Sequence, residues 1–109
     1  MLTNYVKVYI PSTRQGSIPL TKIESKRVID DTIDKLSKYF GGCTSYKAVG
    51  SWTSDTLGTI NEKVTIAQSF HSMDPSIAWN FITSIAQGIK AELSQESVTI
   101  ECNQGIEFI

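Results

Sequence analysis

The chain has 109 residues, which predicts one domain over residues 1–109 with a single hydrophobic core. Ten basic and eleven acidic residues leave a net charge of -1, so nucleic acid is not an expected partner, because non-specific binding needs a phosphate-neutralising surface. No apolar run approaches the roughly 20 residues that span a bilayer, and the first residues lack the pattern of a secretion signal. A cytoplasmic protein without a membrane anchor is predicted.

The first third of the chain predicts a strand followed by a helix. Residues Tyr5–Ile10 alternate apolar and polar side chains, as a half-buried strand does, and Pro11 ends the pattern. The segment Ser12–Ser17 is predicted to be a polar loop. A capping box, Thr21-Lys22-Ile23-Glu24, begins a helix predicted over Thr21–Tyr39. The glycine pair Gly41-Gly42 follows its last apolar residues and predicts its end.

The remainder predicts a long hairpin, a second helix and a C-terminal pair of strands. Asp74-Pro75 is typical of a helix start, because aspartate caps the free amides and proline suits the first helical position. Gly88 lies inside that helix, where close packing against the sheet would be one reason to keep a glycine. The predicted elements are strands Cys43–Trp52 and Asn61–Phe70, helix Pro75–Ser94, and strands Ser97–Cys102 and Ile106–Ile109.

The order of these elements is β-α-β-β-α-β with a short strand at the C-terminus. This order predicts an α+β fold of the ferredoxin-like type, the split β-α-β arrangement. We therefore expect one antiparallel sheet with both helices on the same face.

Groups that usually carry catalysis or bind a metal are scarce. The one histidine, His71, and the distant cysteines Cys43 and Cys102 do not have the spacing of a zinc site. No phosphate-binding loop, dinucleotide fingerprint or nucleophile elbow is present. We predict no metal, no cofactor and no catalytic residue, and His71 is interpreted as a loop residue near a helix start.

The sheet face away from the helices is predicted to carry Tyr5, Lys7 and Tyr9. Their expected neighbours on this face are Lys47, Thr65, Thr99 and Glu101. An exposed patch with aromatic side chains usually meets a partner, so we predict a homo-oligomer that associates through the sheet. Stacking of RNA bases on this face is the alternative, and the absence of the RNP pattern of glycine and phenylalanine speaks against it.

Several short motifs occur together along the chain. Phe40-Gly41-Gly42-x-Thr44 and Gly50-Ser51-Trp52 precede a turn with Gly58, and Glu62-Lys63 and Gln95-Glu96-Ser97-Val98 follow. This series resembles a domain-of-unknown-function family of small bacterial and phage proteins, over about Tyr5 to Phe108. The resemblance implies a single ferredoxin-like domain and, from its occurrence in phages, a role in phage–host interaction such as sequestering a nucleotide-type signal.

The ends of strands and helices are where binding sites are usually built. We therefore predict a pocket for a small polar ligand near the base of the hairpin. Its predicted residues are Arg14, Trp52, Glu62, Lys63, Gln95 and Glu96.

The function predicted from these features is a non-catalytic binding module, because no nucleophile–base pair is recognisable. Two alternatives remain open. One is a small enzyme in which Glu62 or Glu96 acts as a general base with assistance from His71. The other is a subunit whose only role is protein–protein interaction or assembly.

Overall fold

The computed structural model describes residues 1–109. Seven strands and two helices follow one another in an order close to the predicted one. They are β1 (Asn4–Pro11), β2 (Thr13–Arg14), β3 (Ile18–Pro19), α1 (Lys22–Phe40), β4 (Thr44–Ser54), β5 (Gly58–His71), α2 (Pro75–Leu93), β6 (Thr99–Cys102) and β7 (Gly105–Phe108).

Five of the strands form one antiparallel sheet in the order β4-β5-β1-β6-β7. The predicted α+β class, with an antiparallel sheet and two helices, is confirmed. The segment predicted as a polar loop after β1 instead forms a small hairpin of β2 and β3. Its turn has positive φ at Gln15 and Gly16, and the glycine accommodates this conformation without strain.

Both helices have the predicted start signals. The Thr21 hydroxyl accepts from the Glu24 amide, and the Glu24 carboxylate accepts from the Thr21 amide, which completes the capping box of α1. That helix ends at Gly41, whose φ of 90° is left-handed. Asp74 caps α2 by accepting from the Ser76 amide at 2.8 Å.

The hydrophobic core lies between the helices and one face of the sheet. Alternate residues of β1 point into it, and α1 and α2 contribute Leu36 and Leu93, which are fully buried. Successive strand residues point to opposite faces of a sheet. In β1, Tyr5, Lys7 and Tyr9 alternate with the buried residues and therefore lie on the other face of the sheet, which we call the open face. The helices thus cover one face of the sheet and leave the other available for a site.

Gly88 does not have the role in close packing that the sequence suggests. A Cβ atom added at this position would meet no atom within 4 Å, and the residue is exposed. We therefore expect Gly88→Ala to raise the free energy of unfolding by about 1 kcal/mol, because alanine is the better helix former. Chemical denaturation would measure this gain.

Gly41→Ala is the matched control for that experiment, because Gly41 is equally unobstructed but has a φ of +90°. The left-handed conformation disfavours any residue with a Cβ atom, so this variant should lose about 1 kcal/mol. Equal changes in the free energy of unfolding for Gly88→Ala and Gly41→Ala would contradict this explanation from backbone conformation.

The β4–β5 hairpin extends past the rest of the sheet. Strand β1 pairs with β5 only from His71 back to Val64, so the segment Gly58–Lys63 pairs with β4 alone. In this two-stranded part, Gly50 lies opposite Glu62. The molecule is elongated as a result, with principal extents of 45 × 30 × 22 Å.

Neither helix is long and apolar enough to cross a membrane.

Candidate functional site

A carboxylate on the open face is the centre of a polar cluster. Both tyrosines of β1 donate to Glu101 on β6: the Tyr5 hydroxyl to Oε2 at 2.8 Å and the Tyr9 hydroxyl to Oε1 at 2.7 Å. The Lys7 ammonium lies 3.7 Å from Glu101 Oε2 and 5.3 Å from the centre of the Tyr5 ring. The register explains this convergence, because Lys7 lies directly opposite Glu101 in the β1–β6 pair. We call these four residues the Glu101 cluster.

The cluster keeps its carboxylate ionised. Partial burial raises the pKa of Glu101, but the hydrogen bonds from Tyr9 and Tyr5 and the charge of Lys7 together outweigh this effect, so the pKa is lowered. For Tyr9, burial and the hydrogen bond to Glu101 both act in the same direction and raise its pKa to about 12. Near neutral pH, Glu101 is therefore an anion that accepts and Tyr9 is a neutral phenol that donates.

The pKa of Tyr9 gives a test of the cluster. Its ordinary value is 10.0, and a value of about 12 in the folded protein means that folding favours the neutral phenol. The corresponding stabilisation is complete below pH 10 and is lost as the pH rises from 10 to about 12. We expect ultraviolet titration of the four tyrosines to contain a step near pH 12 that Tyr9→Phe removes. If the step near pH 12 remained in Tyr9→Phe, the hydrogen bond from Tyr9 to Glu101 would be contradicted.

A hollow adjoins the cluster at Tyr9, on the side toward the β4–β5 hairpin. Its volume is about 240 Å³. Gly50 and Glu62 form one wall as opposite residues of the hairpin, and Gln95 forms part of another. Because Gly50 has no side chain, only the side chain of Glu62 projects from this wall. We call this concavity the Glu62 hollow; its other lining residues are Pro11, Ala48, Val49, Val64, Ser97, Val98 and Thr99.

The structure brings together some of the predicted site residues. Glu62 and Gln95 line the hollow. Gln95 is held there because its side-chain amide donates to the Thr13 carbonyl at 2.6 Å. Trp52 lies on the same face as Glu62, two pairs further along the hairpin, and is half exposed. Glu96 is exposed and does not line the hollow.

Two predicted ligand-binding residues lie elsewhere. Lys63 follows Glu62 directly in β5, so its side chain points to the opposite face, and it lines a cleft beside α1. Arg14 is bound to other groups: its guanidinium donates to Glu24 Oε2 and to the Glu92 carbonyl, each at 2.8 Å. Neither cation therefore faces the Glu62 hollow.

His71 is also distant from the hollow. It lies nine residues after Glu62 in the same strand, about 30 Å away at ~3.3 Å per residue. The side chain is buried, its ring centre is 5.3 Å from that of Phe40, and burial lowers its pKa. The predicted assistance of His71 to a general base at Glu62 is therefore wrong. No group of three or more histidine, cysteine or acidic residues that could hold a metal ion is present.

Strand alternation predicts Glu101 beside the tyrosines, but it gives no sign that Glu101 is the centre of a cluster. Lys47 and Thr65, expected on the same face, point to the helix side, because Thr65 lies opposite the buried Ile10. The pairing of β1 with both β5 and β6 decides these positions. Strand alternation alone does not specify that register.

No family model matches the chain, and no curated protein matches it significantly. Two solved structures share its fold. One is a phage SAM lyase in complex with S-methyl-5′-thioadenosine, at a TM-score of 0.70 and 15% identity, over 97% of this chain and 88% of that chain. The other is a phage SAM lyase in the apo state, at a TM-score of 0.72 and 17% identity, over 97% of this chain and 87% of that chain.

This likeness corrects the functional prediction. A non-catalytic binding module was expected, but the fold shared over 97% of the chain is that of a lyase, so that prediction is wrong. The expectation of a small-molecule ligand agrees with the comparison, because one of the two structures holds S-methyl-5′-thioadenosine. At 15–17% identity, the comparison shows that this chain has the fold of phage SAM lyase.

Proposed function

We propose that this protein is a SAM lyase, an enzyme that cleaves S-adenosylmethionine and releases S-methyl-5′-thioadenosine. The observation that carries the proposal is the fold shared with a phage SAM lyase holding that product, over 97% of this chain. In the reaction, the bond between the sulfonium sulfur and the amino-acid side chain breaks, and its electron pair stays on sulfur, which becomes a neutral thioether. As a lyase reaction, this needs no water. Either the fragment's own carboxylate forms a C–O bond to the γ-carbon and closes a ring, or a proton passes from the β-carbon to a basic group and a C=C bond forms.

The charge of the open face supports this substrate. S-Adenosylmethionine has a sulfonium and an ammonium group and is a net cation at neutral pH. Two carboxylates, the partly buried Glu101 and the exposed Glu62, lie on the open face on either side of Tyr9. Lys7 is the cation beside Glu101, so the three groups together have one uncompensated negative charge. Opposite charges in a partly buried site attract the substrate more strongly than they would in water.

The roles of the carboxylates follow from the change in charge. The sulfonium loses its positive charge as the bond breaks, so a carboxylate beside sulfur would stabilise the substrate more than the transition state. The ammonium keeps its charge throughout, so a carboxylate beside it contributes binding without opposing the reaction. We assign Glu101 to the ammonium group and Tyr9 to orientation. We place the sulfur against the apolar side chains of Pro11, Val64 and Val98 in the Glu62 hollow, away from the Glu62 carboxylate.

Incubation with S-adenosylmethionine tests the proposal. Chromatography should show S-methyl-5′-thioadenosine accumulating with time, and heat-denatured protein gives the background. S-Methyl-5′-thioadenosine at about 100 times its Kd should also stabilise the fold by about 2.7 kcal/mol. Intact substrate after prolonged incubation, together with an unchanged melting temperature, would refute the proposal.

We also propose that copies of the chain associate through the open face around this site. Five large apolar side chains of that face are at least 40% exposed, which supports a covered surface; they are Tyr46, Trp52, Phe70, Ile106 and Phe108. Light scattering should show an oligomer that Phe108→Glu dissociates. A monomeric wild-type protein would contradict this proposal.

We also propose that the fold is of the ferredoxin-like type. Without the short strands β2, β3 and β7, the sheet order β4-β5-β1-β6 supports it, as does the packing of α1 and α2 on one face.

A further inference from the structure

A second concavity lies on the helix side of the β4–β5 hairpin, between the hairpin and α1. Its volume is about 800 Å³, within the range of roughly 300–1,000 Å³ that is usual for small-molecule sites. Four lysines line it, two from α1 and two from the hairpin, and we call it the lysine cleft. They are Lys22, Lys26, Lys47 and Lys63.

Most cations of this protein are paired with carboxylates, but three lysines of the cleft are not. Six of the ten lysine and arginine side chains lie within 4.0 Å of a carboxylate oxygen. Lys22, Lys47 and Lys63 make no such contact, and the only other unpaired cation is Lys90. Three of the four unpaired cations therefore converge on one cleft in a chain whose net charge is -1.

Little negative charge opposes these lysines. The one carboxylate that lines the cleft is Asp30, and it forms an ion pair with Lys26. The first turn of α1 also borders the cleft, through Thr21 and Ser25. Because the amino end of a helix has a partial positive charge, it adds to the potential of the lysines. The cleft is thus built for an anion.

The floor of the cleft is apolar, unlike its rim. Leu20 and Ile29, which pack against the core, and Val49 of the hairpin lie among the lining residues. Inorganic phosphate would leave this surface uncovered, because it has no apolar part. A ligand that fits both parts has several negative charges joined to a flat or apolar body.

We propose that the lysine cleft binds a nucleoside polyphosphate, with its phosphates against Lys22, Lys47 and Lys63 and its base on the apolar floor. The same charge argument excludes the cleft as the site of S-adenosylmethionine, which is a cation. Nucleic acid fits less well, because the cleft is bounded by α1 and the hairpin, and a polymer needs a continuous basic surface. The proposal does not depend on the lyase activity.

Isothermal titration calorimetry with ATP, adenosine and inorganic tripolyphosphate tests the proposed binding of nucleoside polyphosphate in the lysine cleft. We expect ATP to bind most tightly, tripolyphosphate more weakly, and adenosine least. Lys47→Gln and Lys63→Gln should each weaken ATP binding about tenfold, since each removes a charged partner of a phosphate. Lys90→Gln is the matched control, because it removes an unpaired lysine outside the cleft, and its effect should stay within about twofold.

Three results would overturn the proposal. They are no detectable binding of ATP, an equal loss of ATP binding in Lys90→Gln and Lys47→Gln, or tighter binding of a single-stranded oligonucleotide than of ATP through the same lysines. Assays of S-adenosylmethionine cleavage in the same variants keep the two proposals apart. A failure of ATP binding with cleavage intact refutes the lysine cleft alone.

Discussion

Glu101→Gln is expected to lower the rate of S-adenosylmethionine cleavage about 100-fold. The substitution preserves the size of the side chain but removes the charge on which Tyr5, Tyr9 and Lys7 converge. The loss of a hydrogen bond to a charged group amounts to about 1.5–3 kcal/mol, and each 1.4 kcal/mol is about tenfold in rate or affinity. Initial rates of S-methyl-5′-thioadenosine release at saturating and at low substrate would divide the loss between kcat and KM.

Because Glu101 is assigned to the ammonium group, the loss should be larger in kcat/KM than in kcat. Glu107→Gln is the matched control, since Glu107 is exposed, lies on the neighbouring strand β7 and has no ion-pair partner. An undiminished rate in Glu101→Gln, with the melting temperature of the wild type, would remove Glu101 from the proposed site.

Leu36→Ala is expected to lower the free energy of unfolding by about 3 kcal/mol. Leu36 is fully buried where α1 meets the sheet, and truncation removes its apolar contacts and leaves a cavity that the rigid surroundings fill only in part. The total stability of a domain of this size is about 5–15 kcal/mol, so the loss is large. Denaturant titration would measure it as a lower midpoint with an unchanged slope.

Ile23→Ala is the matched control, because it also replaces a large aliphatic side chain of α1 by alanine. The side chain of Ile23 is 84% exposed, so this variant removes no core contacts. Ile23→Ala should change the free energy of unfolding by no more than about 0.5 kcal/mol. A loss in Ile23→Ala as large as that in Leu36→Ala would contradict the explanation from burial, because both variants introduce alanine and the two positions differ in exposure.

The helices and long strands were predictable because their signals are local. Thr21 and Glu24 form the expected capping box, and Asp74 caps the second helix as predicted. The strands extend one to three residues beyond several predicted bounds, as with β5 at Gly58–His71. The β2–β3 hairpin was missed because its two-residue strands are too short for alternation to show, although Gly16 marks its turn.

The candidate site was predictable only in part. Strand alternation within β5 already separates Glu62 from Lys63, so the misplacement of Lys63 was avoidable from the sequence. The position of Glu101 between two tyrosines was not, because it depends on the register between β1 and β6, which are separated by about 90 residues of chain. The proposed lyase activity had no signal in the sequence, since no known catalytic motif is present.

The two-stranded outer part of the β4–β5 hairpin has a consequence for dynamics. An isolated pair of strands is marginally stable in water, whereas the inner part of β5 is held between β4 and β1. Backbone amides near Glu62 should therefore exchange with solvent deuterium through local opening, and those near Ala67 only through global unfolding. Because Gly50 and Glu62 form one wall of the hollow, that wall belongs to a part of the sheet that opens locally.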